Sequence, residues 1–240
     1  MDNPQAEPLL VNGCGKLALL CLALAPLAVL AVRLGLNFKI GLLVFAASCV
    51  LALVVIIVLV IVILLPRYQQ HRRVALMNLL PAIPPALLIV VVLISSGEYP
   101  AIHDITTNTD DPPVFDIAVE RRGAEANSID IKPESIAIQL KHYPDLSTIE
   151  SSLSPSDAFS RAAEVAIELN WQIYNSDPRN GMLEAAYTSF WFGFTDDVVI
   201  RIRPTASGTE IDLRSVSRVG RGDLGANAKR IRAFTQLFPG

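Results

Sequence analysis

The pattern of apolar and polar positions divides the chain at about residue 97. Three long apolar runs precede the division. Residues 17–32 are uncharged, and the run continues past Arg33 to Leu36. Residues 40–66 are uncharged and rich in Val, Ile and Leu; residues 74–97 are uncharged and end in a Leu-Ile-Val block. A helix crosses the hydrocarbon layer with about 20 apolar residues. Helices in soluble cores are usually shorter and keep a polar face, which these runs lack. The pattern predicts three transmembrane helices, over about residues 17–36, 40–66 and 74–97. Pro81, Pro84 and Pro85 fall in the first half of the third run. Each removes a backbone donor and crowds the preceding turn, so a kink is expected there.

After residue 97 the periods shorten. Residues 98–133 are rich in Pro, Asp and Thr and read as linker and loop; residues 135–140 alternate weakly, as a short strand would. A helix follows, capped by Ser156 or Asp157, with Phe159, Ala162, Ala163, Ala166 and Leu169 at three- and four-residue steps. Strands are expected over residues 171–175, 182–192, 198–203 and 210–217. The first two are separated by the Asp-Pro-Arg-Asn-Gly turn at 177–181. A last helix starts near Asp223 and should bury Leu224, Ala228, Ile231, Phe234 and Leu237. The order helix, four strands, helix means an antiparallel sheet in an α+β domain. Two segments result: an anchor over residues 1–97 and a soluble domain over residues 98–240.

Alternation assigns the faces of the sheet. Val198, Ile200, Ile202, Ile211 and Leu213 share the face that should meet the helices. Arg201, Arg203, Asp212 and Arg214 share the other, with Glu184 and Thr188 beside them. A guanidinium fork suits carboxylates and phosphates, so Arg201, Arg203, Arg214 and Arg218 are candidate ligand-binding residues. The plainer expectation is a solvated face of cross-strand ion pairs. His103 and Asp104, close to the apolar segment, are the other candidates. With Asp110, Asp111 and His142 they still lack the spacing of a calcium loop or a zinc site. No metal ligands and no cofactor are assigned.

Charge follows the same division. Residues 98–240 carry 14 Lys and Arg against 21 Asp and Glu, a balance of −7, and the apolar segment carries +4. An acidic domain argues against a nucleic-acid partner. Cations flanking the runs give the orientation. Lys16, Arg67, Arg72 and Arg73 fall on one side, Arg33 and Lys39 on the other. That places the N-terminus in the cytoplasm and the soluble domain outside, in the periplasm if the membrane is the inner membrane of a Gram-negative bacterium. Cys14, Cys21 and Cys49 all lie in the apolar segment and read as small packing residues.

No nucleophile elbow, HExxH helix or phosphate loop is present, and no catalytic residues are assigned. Ser215, Ser217 and Asp223, or His103, are the weakest basis for a hydrolase. Gly220, Gly222 and Gly225 before the last helix are explained by turns.

The stretches Ile-His-Asp-Ile-Thr-Thr at 102–107 and Asp-Pro-Pro-Val-Phe at 111–115 resemble the opening signature of the uncharacterised family called domain of unknown function 1499. In the second half of the domain, Phe-Trp-Phe-Gly-Phe at 190–194, Asp-Asp-Val-Val-Ile-Arg at 196–201 and Asp-Leu-Arg-Ser-Val-Ser-Arg-Val-Gly at 212–220 also resemble that family. The resemblance covers about residues 99–238. It implies a shared fold and no reaction, and it implies that the segment near His103 and the segment 214–227 belong to one module. The expected role is a non-enzymatic binding or interaction domain in envelope maintenance. Its partners would be the bilayer, through the helices, and an envelope protein. The alternative is a lipid-headgroup or small-anion binder that uses the arginine face.

Overall fold

The computed structural model describes residues 6–238. The chain divides into two compact units, Met1–Gly97 and Glu98–Gly240.

The first unit is helical: α1 (Ala6–Arg33), α2 (Phe38–Leu64), α3 (Arg72–Leu79) and α4 (Ile83–Glu98). Three helical stretches are long and apolar enough to cross a membrane: Leu9–Arg33, Phe38–Leu64 and Pro66–Glu98. The first begins well before residue 17, since Lys16 is carried on an exposed face of α1. The third is broken by 3-10 turns at Pro66–His71 and Leu80–Ala82, on either side of α3. The second turn falls at the expected prolines. The small side chains Ala18, Cys21, Ala52, Ala75, Ala82 and Ala86 are buried between the helices, together with the larger Val11, Val55, Leu59, Val62 and Tyr68. Lipid tails are as apolar as leucine, so close packing of small residues, not exclusion from water, brings such helices together. Leu19, Leu43, Ile57 and Leu93 point outward instead.

The second unit is an α+β domain. Its strands are β1 (Asp104–Thr106), β2 (Ile149–Ser151), β3 (Gln172–Asp177), β4 (Met182–Thr188), β5 (Thr195–Pro204) and β6 (Thr209–Ser217). The sheet runs β1-β6-β5-β4-β3, and β2 also pairs with β6. All pairings are antiparallel. The short strands β1 and β2 share one edge of β6, which β1 covers at 214–216 and β2 at 209–211. The helices are α5 (Ala118–Arg121), α6 (Pro133–His142), α7 (Pro155–Glu168) and α8 (Ala226–Leu237).

The aliphatic face packs as expected. Val198, Ile200, Ile202, Ile211 and Leu213 form the core with Ala162, Val165 and Ala166 of α7 and Ala228, Ile231 and Phe234 of α8. Trp171, Phe234 and Phe238 stack in series, each neighbouring pair of ring centres 5.6 Å apart. Ser154, not Ser156 or Asp157, caps α7: its hydroxyl accepts from the Asp157 amide, and Pro155 occupies the first turn.

Four local expectations are corrected. The strand expected over residues 182–192 ends at Thr188, and residues 189–194 form the turn to β5. Residues 135–140 are helix, not strand. Pro133 opens α6, Glu134 lies in its first turn and Lys141 and His142 in its last, an arrangement that favours the helix dipole at both ends. The α6 side chain Gln139 is buried; it accepts from the Thr106 amide at 3.0 Å and donates to the Thr106 carbonyl at 2.6 Å. One amide thus serves as strand partner to the outer side of β1. The final helix starts at Ala226, past Asp223, whose carboxylate accepts from the amides of Gly225 and Asn227. Leu224 has φ +52°, which turns its side chain outward to 42% exposure instead of into the core. Finally, residues 98–133 are not a free linker. They supply β1 and α5, and they cover the second face of the sheet.

Candidate functional site

Most of the charged face of the sheet is buried; around Arg203 it stays open, as expected, with the side chains of Arg203, Asp111 and Glu210 37%, 62% and 40% exposed. Glu184, Asp197 and Asp212 each have no exposed surface, and Arg214 is 2% exposed. The lid over them comes from residues 107–132. Phe115, Ala118 and Ile129 of this segment pack on Met182, Val199, Val216 and Tyr174.

Each buried carboxylate has donors. Asp212 accepts from Arg201 and Arg203, each at 2.9 Å, and from Thr148 at 2.6 Å. Asp111, on the rim, accepts from Arg203 on its carboxylate at 2.9 Å and from Arg201 on its backbone carbonyl at 2.6 Å, and the Arg201 guanidinium lies 3.1 Å from the same carboxylate. Arg203 also reaches Glu210 at 3.3 Å. Around these two guanidinium groups stand three carboxylates, so the local charge is negative and repels a further anion. Arg201 is the register partner of Asp212, which explains why a cross-strand pair forms there.

Arg214 grips Asp104 with two parallel bonds, Nε to Oδ1 at 2.9 Å and Nη2 to Oδ2 at 2.7 Å. Its remaining donors go to the carbonyls of Pro113 and Ile129, at 3.3 and 2.6 Å. The guanidinium lies 5.4 Å from the centre of the Phe115 ring. One side chain therefore binds both ends of the lid. Arg218 grips Asp197 in the same forked way, at 2.9 and 2.7 Å. Arg122, from the lid, donates to Asp197 at 2.6 Å. Tyr174 donates to Asp197 at 3.3 Å, and burial together with the charges of Asp197 and Glu184 pushes its phenol far above the ordinary range. The bond to Asp197 holds the Arg218 cation more firmly than usual, whereas burial lowers the pKa of Arg122.

Glu184 has no guanidinium partner. It accepts from the backbone amides of Asp116 and Ile117, at 2.7 and 2.9 Å, and from Asn175 at 3.1 Å. Those amides open α5, so a carboxylate on the sheet caps the turn that lies over it. Sequence reasoning missed this role. The only signal was a glutamate at an inward position of a strand with hydrophobic neighbours.

A second polar group lies at the end of the helical face. Asp196 accepts from Arg230 at 2.6 Å, and Arg230 also bonds Ser215 and Asn227. Ser215 is fully buried and donates to Asn227 at 2.6 Å. Asn227 in turn donates to Ser217 and to the His103 carbonyl. The His103 ring turns away, its Nδ1 3.4 Å from the Arg221 carbonyl. The structure thus brings the His103 segment and the 214–227 segment together, but through the His103 backbone. It does not bring the imidazole to either serine. Among the described residues, no group of three or more His, Cys, Asp or Glu is placed to hold a metal ion.

Two outcomes are expected from this geometry. Breaking a buried pair by removing one partner costs about 3–5 kcal/mol, against under about 1 kcal/mol for an exposed one. Urea unfolding of the chain in detergent should therefore show a large loss for Asp212→Ala and little change for Glu164→Ala, which removes the exposed i,i+3 partner of Arg161. Asp223 supplies one part of the pH dependence. Burial raises its carboxyl above the ordinary range, more than its bonds to Asn227 and Gly225 lower it. Just above the ordinary carboxylate pKa the folded state keeps a proton that the unfolded chain has lost. Stability from this group therefore falls as pH rises through that interval and is flat above the folded pKa. Asp223→Asn should remove this part of the pH profile, read from denaturant midpoints.

No curated protein matches the chain. A family model does match residues 104–238, which spans the sheet, the lid and both polar groups just described. The chain belongs to the family described as Protein of unknown function (DUF1499).

Proposed function

We propose that this protein is a membrane-tethered, non-enzymatic binding module of the bacterial envelope. In this reading the apolar helices sit in the inner membrane, with the N-terminus in the cytoplasm and the α+β domain in the periplasm. The observation that carries the binding role is the closed charged face. Arg201, Arg203, Arg214 and Arg218 all direct donors to the domain's own carboxylates, so their charge is used to fix the lid and make a rigid platform. Two placements favour binding over hydrolysis. Ser215 is sealed and held by Asn227, and the His103 ring faces a carbonyl. Orientation is supported by the cations Lys16, Arg67, Arg72 and Arg73 on the inner side against Arg33 and Lys39 on the outer.

The small-anion or headgroup reading has one observation behind it. The Nε atoms of Arg201 and Arg203 are buried with no hydrogen-bond partner among the described residues. The acidic surroundings of both weigh against it.

Orientation is directly testable because the second unit contains no cysteine. Replace Cys14, Cys21 and Cys49 by Ala and introduce Ser207→Cys in the exposed turn before β6. A membrane-impermeant maleimide should label this site in cells with a permeabilised outer membrane and an intact inner membrane. Labelling only after lysis would place the domain in the cytoplasm. Turnover of ester or phosphate substrates by the purified chain, lost in Ser215→Ala, would overturn the non-enzymatic part.

A further inference from the structure

The two ends of the sheet differ in chemistry. Antiparallel register fixes which turns share an end. Asp104 pairs with Val216, and Asp196 pairs with Ser217. The β4–β5 turn, residues 189–194, therefore lies at the end where the chain enters the domain from α4. The other two hairpin turns, at 178–181 and 205–208, lie at the opposite end. Their residues are Pro-Arg-Asn-Gly and Thr-Ala-Ser-Gly, with no large apolar side chain.

The turn at the tethered end reads Ser-Phe-Trp-Phe-Gly-Phe. Phe190 is 82% exposed and Trp191 58% exposed. The turn holds its shape: the Ser189 amide donates to the Phe194 carbonyl at 2.8 Å, and the Phe194 amide donates to the Ser189 hydroxyl at 3.0 Å. Phe192 and Phe194 stack below the tip at 5.3 Å. Exposed Leu224 adds to the apolar surface at this end, because its loop folds back on the incoming chain. Asp223 donates its amide to the Ile102 carbonyl, and a Cβ on Gly225 would meet the Tyr99 ring. Exposed cations lie at the same end. Arg121 flanks Thr188 and Thr195 at the base of the turn, the exposed Arg221 has its backbone carbonyl 3.4 Å from the His103 ring, and Lys229 lies over the Tyr99 ring.

We propose that this turn is a membrane-docking element, with Phe190 and Trp191 seated in the headgroup layer of the bilayer that holds the apolar helices. This rests on the membrane-tethered reading above. Three features select a lipid surface. The aromatic turn is at the tethered end and the two polar turns are at the other. Tryptophan has an apolar body and one polar N–H, which suits the interface better than water or hydrocarbon. Neighbouring Arg and Lys match anionic headgroups, although the domain as a whole is acidic. Tethering also makes docking intramolecular, so a few side chains suffice where a free domain would need more. The consequence is a fixed orientation: the polar turns face away from the bilayer.

The chain reports on itself. It has two tryptophans, Trp171 buried in the domain core and Trp191 on the tip, and none in the apolar segment. The full chain is reconstituted into phosphatidylcholine–phosphatidylglycerol vesicles, with and without lipids brominated on the acyl chain near the headgroup. The proposal expects brominated lipid to quench part of the emission. Trp191→Phe should remove that part, and Phe190→Ser, which keeps both tryptophans, should weaken it. Emission that is indifferent to bromine, with Trp191 quenched by acrylamide from the water, overturns the proposal and assigns the tip to a protein partner. A chain that does not float with the vesicles fails earlier and overturns the membrane reading itself.

Discussion

Three carboxylates buried on one face of a sheet set the terms for the rest of this domain. Glu184, Asp197 and Asp212 lie out of contact with water, and a charge so placed costs several kcal/mol unless donors surround it. The sheet supplies some of those donors, from Arg201, Arg203 and Arg218. The others come from residues 107–122: the amides of Asp116 and Ile117, and the Arg122 guanidinium. A segment with few apolar residues and much Pro and Asp thus acquires one conformation. Arg214 completes the arrangement by tying Asp104, Pro113 and Ile129 to β6. Replacing such a network with apolar residues is often neutral for stability. Its effect here is on which chain segment covers the face and in what register.

The same arrangement explains what could be read from the sequence. Strands β5 and β6 alternate cleanly, so their aliphatic face, the packing of α7 and α8 and the α+β class were all legible. Arg201, Arg203, Asp212 and Arg214 were correctly placed on one face. What that face met was not legible, because its partners in β1 and the lid stand 67 to 110 residues away in the chain and pair by charge and by backbone amides, without a period. Strands β1 and β2 have three residues each, too few to alternate. Residues 135–140 misled for a different reason. Ile136, Ile138 and Leu140 alternate, yet Ile138 and Leu140 are exposed, and the alternation reports no buried face. The end signals of α6, Pro133 and the charges of its first and last turns, carried the better information.

His103 and Asp104 illustrate how a residue can matter by a route other than its chemistry. Asp104 holds Arg214, and the carbonyl of His103 accepts from Asn227 and from the Ser217 amide. Both fix the point where the chain joins the sheet. That point is also the end that carries Phe190, Trp191 and Leu224. Internal ion pairs lock the fold around the residues at which the chain enters this sheet.

The measurement that bears most directly on this account is hydrogen exchange of the full chain, followed at single-amide resolution at Asp116 and Ile117. These amides sit in a Pro- and Asp-rich segment and have no strand partner. If the buried Glu184 carboxylate holds the lid, they exchange as slowly as amides in β6, and Glu184→Ala releases them together while β5 and β6 stay protected. Exchange at the rate of an open loop in the unaltered protein would contradict the account.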